Sequence, residues 1–192
     1  RNNSAALGGG VYPGGSGLLL NCTIISNSSA AYAQGGTIRN CLFAKNGSGI
    51  WGHNAAGATY QNCTIADNAG VGIRLSIASR VENCIVYSNN SGGSNWSIDG
   101  TGADSTWTNS CTMPLPPGPY DTGNITNNPL FVSVASGDFR LKRTSPCINQ
   151  GVNRSWMTNA VDLDGLARIQ EDAVDIGAYE IAPRPGTLIY LK

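Results

Sequence analysis

Along the first half of the chain, apolar and polar positions alternate over runs of only about three residues. Cys22-Thr23-Ile24 is an example, and Asn, Gly or Ser cuts each run short. Alternation at period two predicts strands with one buried face. The runs also recur. Asn-Cys stands at Asn21-Cys22, Asn40-Cys41, Asn62-Cys63 and Asn83-Cys84, in steps of 19, 22 and 21 residues. Six positions after each of these asparagines comes another: Asn27, Asn46, Asn68 and Asn89. An apolar residue follows each Cys by two (Ile24, Phe43, Ile65, Val86) and precedes it by three (Leu19, Ile38, Tyr60, Val81). Columns that repeat together in this way mark a structural repeat.

A unit of this length is too short for two helices, and its Gly, Asn, Thr and Ser content disfavours any helix. One coil of a parallel β-helix fits, with three short strands and three corners. A third strand is marked by Gly10-Val11, Gly49-Ile50 and Gly72-Ile73, with Ala31-Tyr32 as the nearest equivalent in the second coil. The expected fold is all-β: a right-handed parallel β-helix of four to five coils over residues 1–98, closed by an irregular cap. Right-handed crossovers are the rule for parallel strands. Stacked coils set equivalent side chains roughly 4.8 Å apart. Both asparagine columns then become ladders at corners, where Asn tolerates a left-handed backbone. Cys22, Cys41, Cys63 and Cys84 form an inward column of small hydrophobes; zinc would need ligands converging on one point.

After Asn95 the repeat dissolves, and Met113–Pro119 is rich in proline. Residues 99–182 read as a loop-rich cap and 183–192 as a linker with a strand-like tail. Cys111 and Cys147 lie outside the repeat and are the expected disulfide pair, closing a long loop in an exported protein.

Five motifs follow in order: Asn128-Pro129-Leu130-Phe131-Val132, Gly137-Asp138-Phe139-Arg140-Leu141, Ser145-Pro146-Cys147-Ile148-Asn149-Gln150-Gly151, Asp162-Leu163-Asp164-Gly165 and Asp175-Ile176-Gly177-Ala178-Tyr179-Glu180. Together with the Asn-Cys-Thr-Ile units, this series resembles secreted bacterial right-handed β-helix proteins of the choice-of-anchor or polymorphic-outer-membrane-repeat type. The resemblance implies export, a surface or extracellular location and a right-handed helix. It does not imply an enzyme. The tail after Ile181 departs from the usual Tyr-Glu ending.

Composition narrows the function. Charged residues are 12% of the chain, with 12 basic and 12 acidic, against about 25% in an average domain. A nucleic-acid binder would carry a basic excess. No apolar run approaches the roughly 20 residues of a membrane-spanning helix. The 20 Asn, 18 Ser and 25 Gly make a polar but uncharged chain. Its start resembles the middle of a repeat, so either a signal sequence has been removed or the chain is a fragment of a longer one; the secreted or cell-surface location is what the resemblance implies. No cofactor is expected. Asp162 and Asp164 are weak calcium candidates, because Asp-Leu-Asp-Gly lacks the further alternating oxygens of a calcium loop.

Three functions remain. Tyr12, Tyr32, Trp51 and Arg74 are expected in one outward column suited to sugar rings. That gives a non-catalytic role in adhesion, glycan contact or assembly, with an extracellular polysaccharide or further copies of the chain as partner. The alternative is a polysaccharide lyase or glycoside hydrolase, by analogy of fold. Hydrolysis needs two facing carboxylates, and Asp67, Glu82, Asp99 and Asp104 show no paired motif. The third function is a self-assembling filament joined by open helix ends or by Leu188, Ile189, Tyr190 and Leu191, a run of high β propensity.

Overall fold

The computed structural model describes residues 9–53, 57–76, 78–100, 104–116 and 121–183. Its strands are two to four residues long and stack into three parallel sheets. Sheet I holds β1 (Leu18–Leu20), β4 (Thr37–Arg39), β7 (Thr59–Gln61), β10 (Arg80–Glu82), β13 (Thr106–Thr108) and β15 (Asp121–Thr122). Sheet II holds β2 (Thr23–Ile25), β5 (Leu42–Ala44), β8 (Thr64–Ala66), β11 (Ile85–Tyr87) and β14 (Cys111–Thr112). Sheet III holds β3 (Ala31–Ala33), β6 (Ile50–Gly52), β9 (Ile73–Leu75) and β12 (Trp96–Ile98). Each strand pairs in register with its counterpart one coil away, as in Ile38↔Tyr60, Phe43↔Ile65 and Ile50↔Ile73. These inward residues form the core of the helix together with Val81, Val86 and Trp107.

The stacking runs past the expected boundary at residue 98. β13 sits on β10 and β14 on β11. The last coil keeps the architecture but shifts the signature. Asn109 turns the corner, Ser110 takes the place of the cysteine, and Cys111 moves to the outward position of Ile85. The exchange works because the column does one job. The thiols of Cys22, Cys41, Cys63 and Cys84 each donate to the carbonyl two residues earlier, at 3.2, 3.0, 3.3 and 3.2 Å. The Ser110 hydroxyl does the same to Thr108 at 3.0 Å. Burial pushes the Cys63 thiol well up, and the bond to Cys63 together with burial pushes Cys41 up, so these two stay protonated.

The two asparagine columns differ. Asn21, Asn40, Asn62, Asn83 and Asn109 carry φ of 52°, 52°, 49°, 53° and 46°, the left-handed corner expected of Asn. At the next corner the left-handed residue is the one before the asparagine: Ser26, Lys45, Asp67 or Ser88. Asn27, Asn46, Asn68 and Asn89 instead point inward. Each backbone N–H and side-chain amide donates to the Oδ1 one coil on, with N–H distances of 3.0 Å from Asn27, 3.0 Å from Asn46 and 3.1 Å from Asn68. Asn95 adds a rung, accepting from the Asn89 N–H at 2.9 Å.

The first column faces the cap. Asn40 donates to the Val161 carbonyl at 2.7 Å, Asn83 to Val152 at 2.9 Å and Asn109 to Gln150 at 3.2 Å. The cap carries an antiparallel ribbon, β16 (Phe131–Ser133) and β17 (Asp138–Leu141). It covers the outer face of sheet II, where Leu42, Ala44, Ala66 and Ile85 meet Phe131, Phe139, Leu141 and Ile176 in a second apolar core. The Asp-Ile-Gly-Ala-Tyr-Glu motif is the clasp. Gly177 has φ of 106°, and a Cβ there would stand 2.8 Å from Ile85 and 2.9 Å from Thr64, so a side chain would both strain and clash. Arg168 is wholly buried beneath the clasp. It bonds Asn40 Oδ1 at 3.1 Å and the carbonyls of Asp175 and Gly177, and it pairs with Glu180 at 2.8 Å. Burial pushes Glu180 up to about 9.

Candidate functional site

Sheet III is the face that the cap leaves open. Strand alternation points Tyr32, Trp51, Arg74 and Ser97 outward in one register, Tyr32↔Trp51↔Arg74↔Ser97. The bridge Val11↔Ala31 places Tyr12 at the head of the same column. The structure therefore brings the four expected residues together. Tyr12 stacks on Tyr32 with centroids 5.4 Å apart, Tyr32 meets the edge of Trp51 at 5.4 Å, and the Arg74 guanidinium lies over Trp51 at 4.9 Å.

The rings pack against one another and cover Tyr32, which alters the expected sugar platform. Tyr32 is 6% exposed, whereas Tyr12 is 54% exposed. Tyr12, Trp51 and Arg74 are the members within reach of a ligand. Beside Trp51 and Arg74 lies an open groove of about 430 Å³. Val71 and Trp51 give it an apolar side, and Ser48, Ser97, Arg74 and Asp99 a polar one. Arg74 donates from Nε to Asp99 Oδ2. The Trp51 indole N–H bonds the Ser76 hydroxyl at 3.2 Å. His53, the one histidine of the chain, sits 2.7 Å from the Tyr32 hydroxyl through Nδ1.

The groove residues beyond the four, above all Asp99, are invisible to column counting. Asp99 belongs to the coil whose strand signature has faded, so only the register Ser97↔Arg74 reveals it two residues further on. Arg168 gave no signal either, since an isolated basic residue in a loop reads as solvated.

The other expected sites fall elsewhere. All six cysteines stand as thiols in this structure, the expected pair Cys111 and Cys147 among them. Cys111 and Cys147 do come together, both buried in the second apolar core, and Cys111 donates to the Asn127 carbonyl at 3.2 Å. Apolar packing surrounds both there. Asp162 is filled by backbone donors. Its Oδ1 accepts the N–H groups of Asp164 and Leu166 at 2.9 and 2.8 Å, and its Oδ2 that of Glu180 at 2.7 Å. Asp164 lies 3.9 Å from Arg140. The Asp162 carboxylate holds the clasp turn, and no cluster of metal-ligating side chains occurs among the described residues. Leu188, Ile189, Tyr190 and Leu191 lie outside the described residues.

The three sheets in coil register agree with a comparison of sequence. The family described as right handed beta helix region matches residues 2–112. The chain belongs to that family. The match ends at β14, where the last coil of sheet II stacks, and leaves the cap outside. No curated protein and no solved structure matches this right-handed β-helix. No helix among its described residues is long and apolar enough to cross a membrane.

Proposed function

We propose that this β-helix is a non-catalytic glycan-contact module of an extracellular or cell-surface protein, and that the open face of sheet III is its contact surface. The observation that carries the reading is the groove beside Trp51. It pairs an apolar side for the C–H face of a pyranose ring with hydroxyl, guanidinium and carboxylate groups for its hydroxyls, the mixture that small polar ligands need. Its volume of about 430 Å³ suits a short sugar segment. Coils repeat along the axis roughly every 4.8 Å, a step close to one sugar unit, so an extended chain lying along the column meets the same register coil after coil. The family is compatible with surface and carbohydrate-related proteins. The C-terminal motifs, which resemble choice-of-anchor proteins, support an exported setting. Retention on a panel of immobilised polysaccharides tests the proposal. The native chain is retained and Trp51→Ala is not; equal retention of the two would contradict it.

A second reading is a lyase acting on acidic polysaccharide. The hydrogen bond between Tyr32 and His53, one coil from Arg74, favours it, because proton abstraction needs a base near a cation that steadies the carboxylate. It stands second because Tyr32 is almost covered and Arg74 is already paired.

A further inference from the structure

The charge arrangement in the groove bears on which glycans it accepts. Among the described residues that line it, the charged ones are Arg74 and Asp99, one of each sign and bonded to one another. Arg74 is fixed on two sides. The face of its guanidinium lies over Trp51, and its Nε edge is held by Asp99. A planar guanidinium held in this way presents its remaining N–H groups in one direction. Asp99 presents its second carboxylate oxygen alongside. Donors and an acceptor thus stand next to each other, which suits hydroxyl groups that both donate and accept. A carboxylate or sulfate drawn to Arg74 meets Asp99 at close range and is repelled. Rejection of the wrong ligand by a like charge is a common source of specificity.

We infer that the groove selects uncharged glycans over acidic ones, and that Asp99 is the residue that sets this choice. The inference rests on the glycan-contact reading above and names its substrate class. Arg74 and Asp99 are both roughly half exposed, with side-chain exposures of 48% and 44%, so both reach a ligand in the groove.

The test is calorimetric titration of the full chain with a soluble neutral β-glucan, a galactomannan, polygalacturonate and alginate, at low and at physiological salt. The native chain binds one of the neutral polymers at least about tenfold more tightly than either acidic one, and that binding changes little with salt, because uncharged ligands are not screened. Asp99→Asn frees Arg74 and raises affinity for the acidic polymers by about tenfold at low salt. Arg74→Gln in the Asp99→Asn background removes that gain. Tighter binding of an acidic polymer by the native chain would overturn the inference and leave glycan contact standing. Asp99→Asn that is folded by circular dichroism yet gains nothing for acidic polymers would also overturn it. Failure of the native chain to bind any of the four would overturn both readings.

Discussion

Sheets II and III are two outer faces of the same coils, and both carry apolar or aromatic residues where water would ordinarily be. On sheet II, Leu42, Ala44, Ala66 and Ile85 lie under the cap, which seals them with Phe131, Phe139, Leu141 and Ile176. On sheet III, Tyr12, Trp51 and Arg74 remain open beside the nearly covered Tyr32, and the contacts on this column come from its own members, from His53 and from Asp99. The difference teaches how to read the outside of a β-helix. On sheet II the outward apolar positions mark where the chain's own cap sits; on sheet III the proposed glycan takes the corresponding place. The two faces also differ in how they are held. Sheet II is fastened by buried charge and by a row of corner asparagines, and the outer column of sheet III by ring packing, the Trp51–Ser76 and Tyr32–His53 hydrogen bonds and one exposed ion pair.

The largest expected effect is on the covered face. Arg168→Met removes a buried cation, leaves Glu180 without its partner and frees three acceptors. Breaking a buried pair in this way costs about 3–5 kcal/mol. Urea unfolding should show that loss, and limited proteolysis should release the cap from the coils before the coils themselves are cut. Intact protection of the cap would mean that apolar contact alone holds it.

A smaller effect belongs to pH. Glu82 is fully buried on the outer side of β10 and is bonded by Arg154 of the cap, at 2.9 Å from Nε, and by Gln61 at 2.9 Å. Burial alone would raise its pKa, but these bonds outweigh it and hold Glu82 below its ordinary value of 4.5. A carboxylate with a lowered folded-state pKa stabilises above the unfolded value and loses that stability as pH falls through the folded one. Because Arg154 is partly in solvent, the loss below pH 4.5 is about 1 kcal/mol or less. Denaturation series across the acid range should show it for the native chain and not for Glu82→Gln.

The smallest expected stability effect is on the open face. Trp51→Ala removes a half-buried ring from a surface column, and it should lower stability by only about 1 kcal/mol while abolishing retention on glycan. A thermal melt checks the first part. A large drop in melting temperature would mean that the column is a brace of the fold rather than a contact surface.

Most of the helix was legible because its interior repeats. A side chain stacked on its own equivalent meets the same neighbours in every coil, so Asn27, Cys41 and Ile65 each appear in columns. Legibility failed where the surroundings stop repeating. The last coil was missed because Ser110 does the hydrogen bonding of a cysteine while Cys111 turns outward, which breaks the Asn-Cys signature without breaking the stack. The corner asparagines pair within their column, Asn40 donating to Asn21 and Asn83 to Asn62, but Asn40, Asn83 and Asn109 also donate to cap carbonyls, which no local pattern announces. The aromatic column followed from strand alternation at Val11, Ile50 and Ile73, whereas its ion-pair partner Asp99 required the register of the fourth coil.

The central claim is that Trp51 and the groove beside it meet a glycan. Tryptophan fluorescence of the full chain, titrated with a soluble neutral oligosaccharide, tests it most directly. The account predicts a saturable change in the native chain that is absent in Trp51→Ala, with Trp96, Trp107 and Trp156 unaltered as internal controls. The same change in both proteins, or none in the native chain with neutral or acidic oligosaccharides, would contradict it.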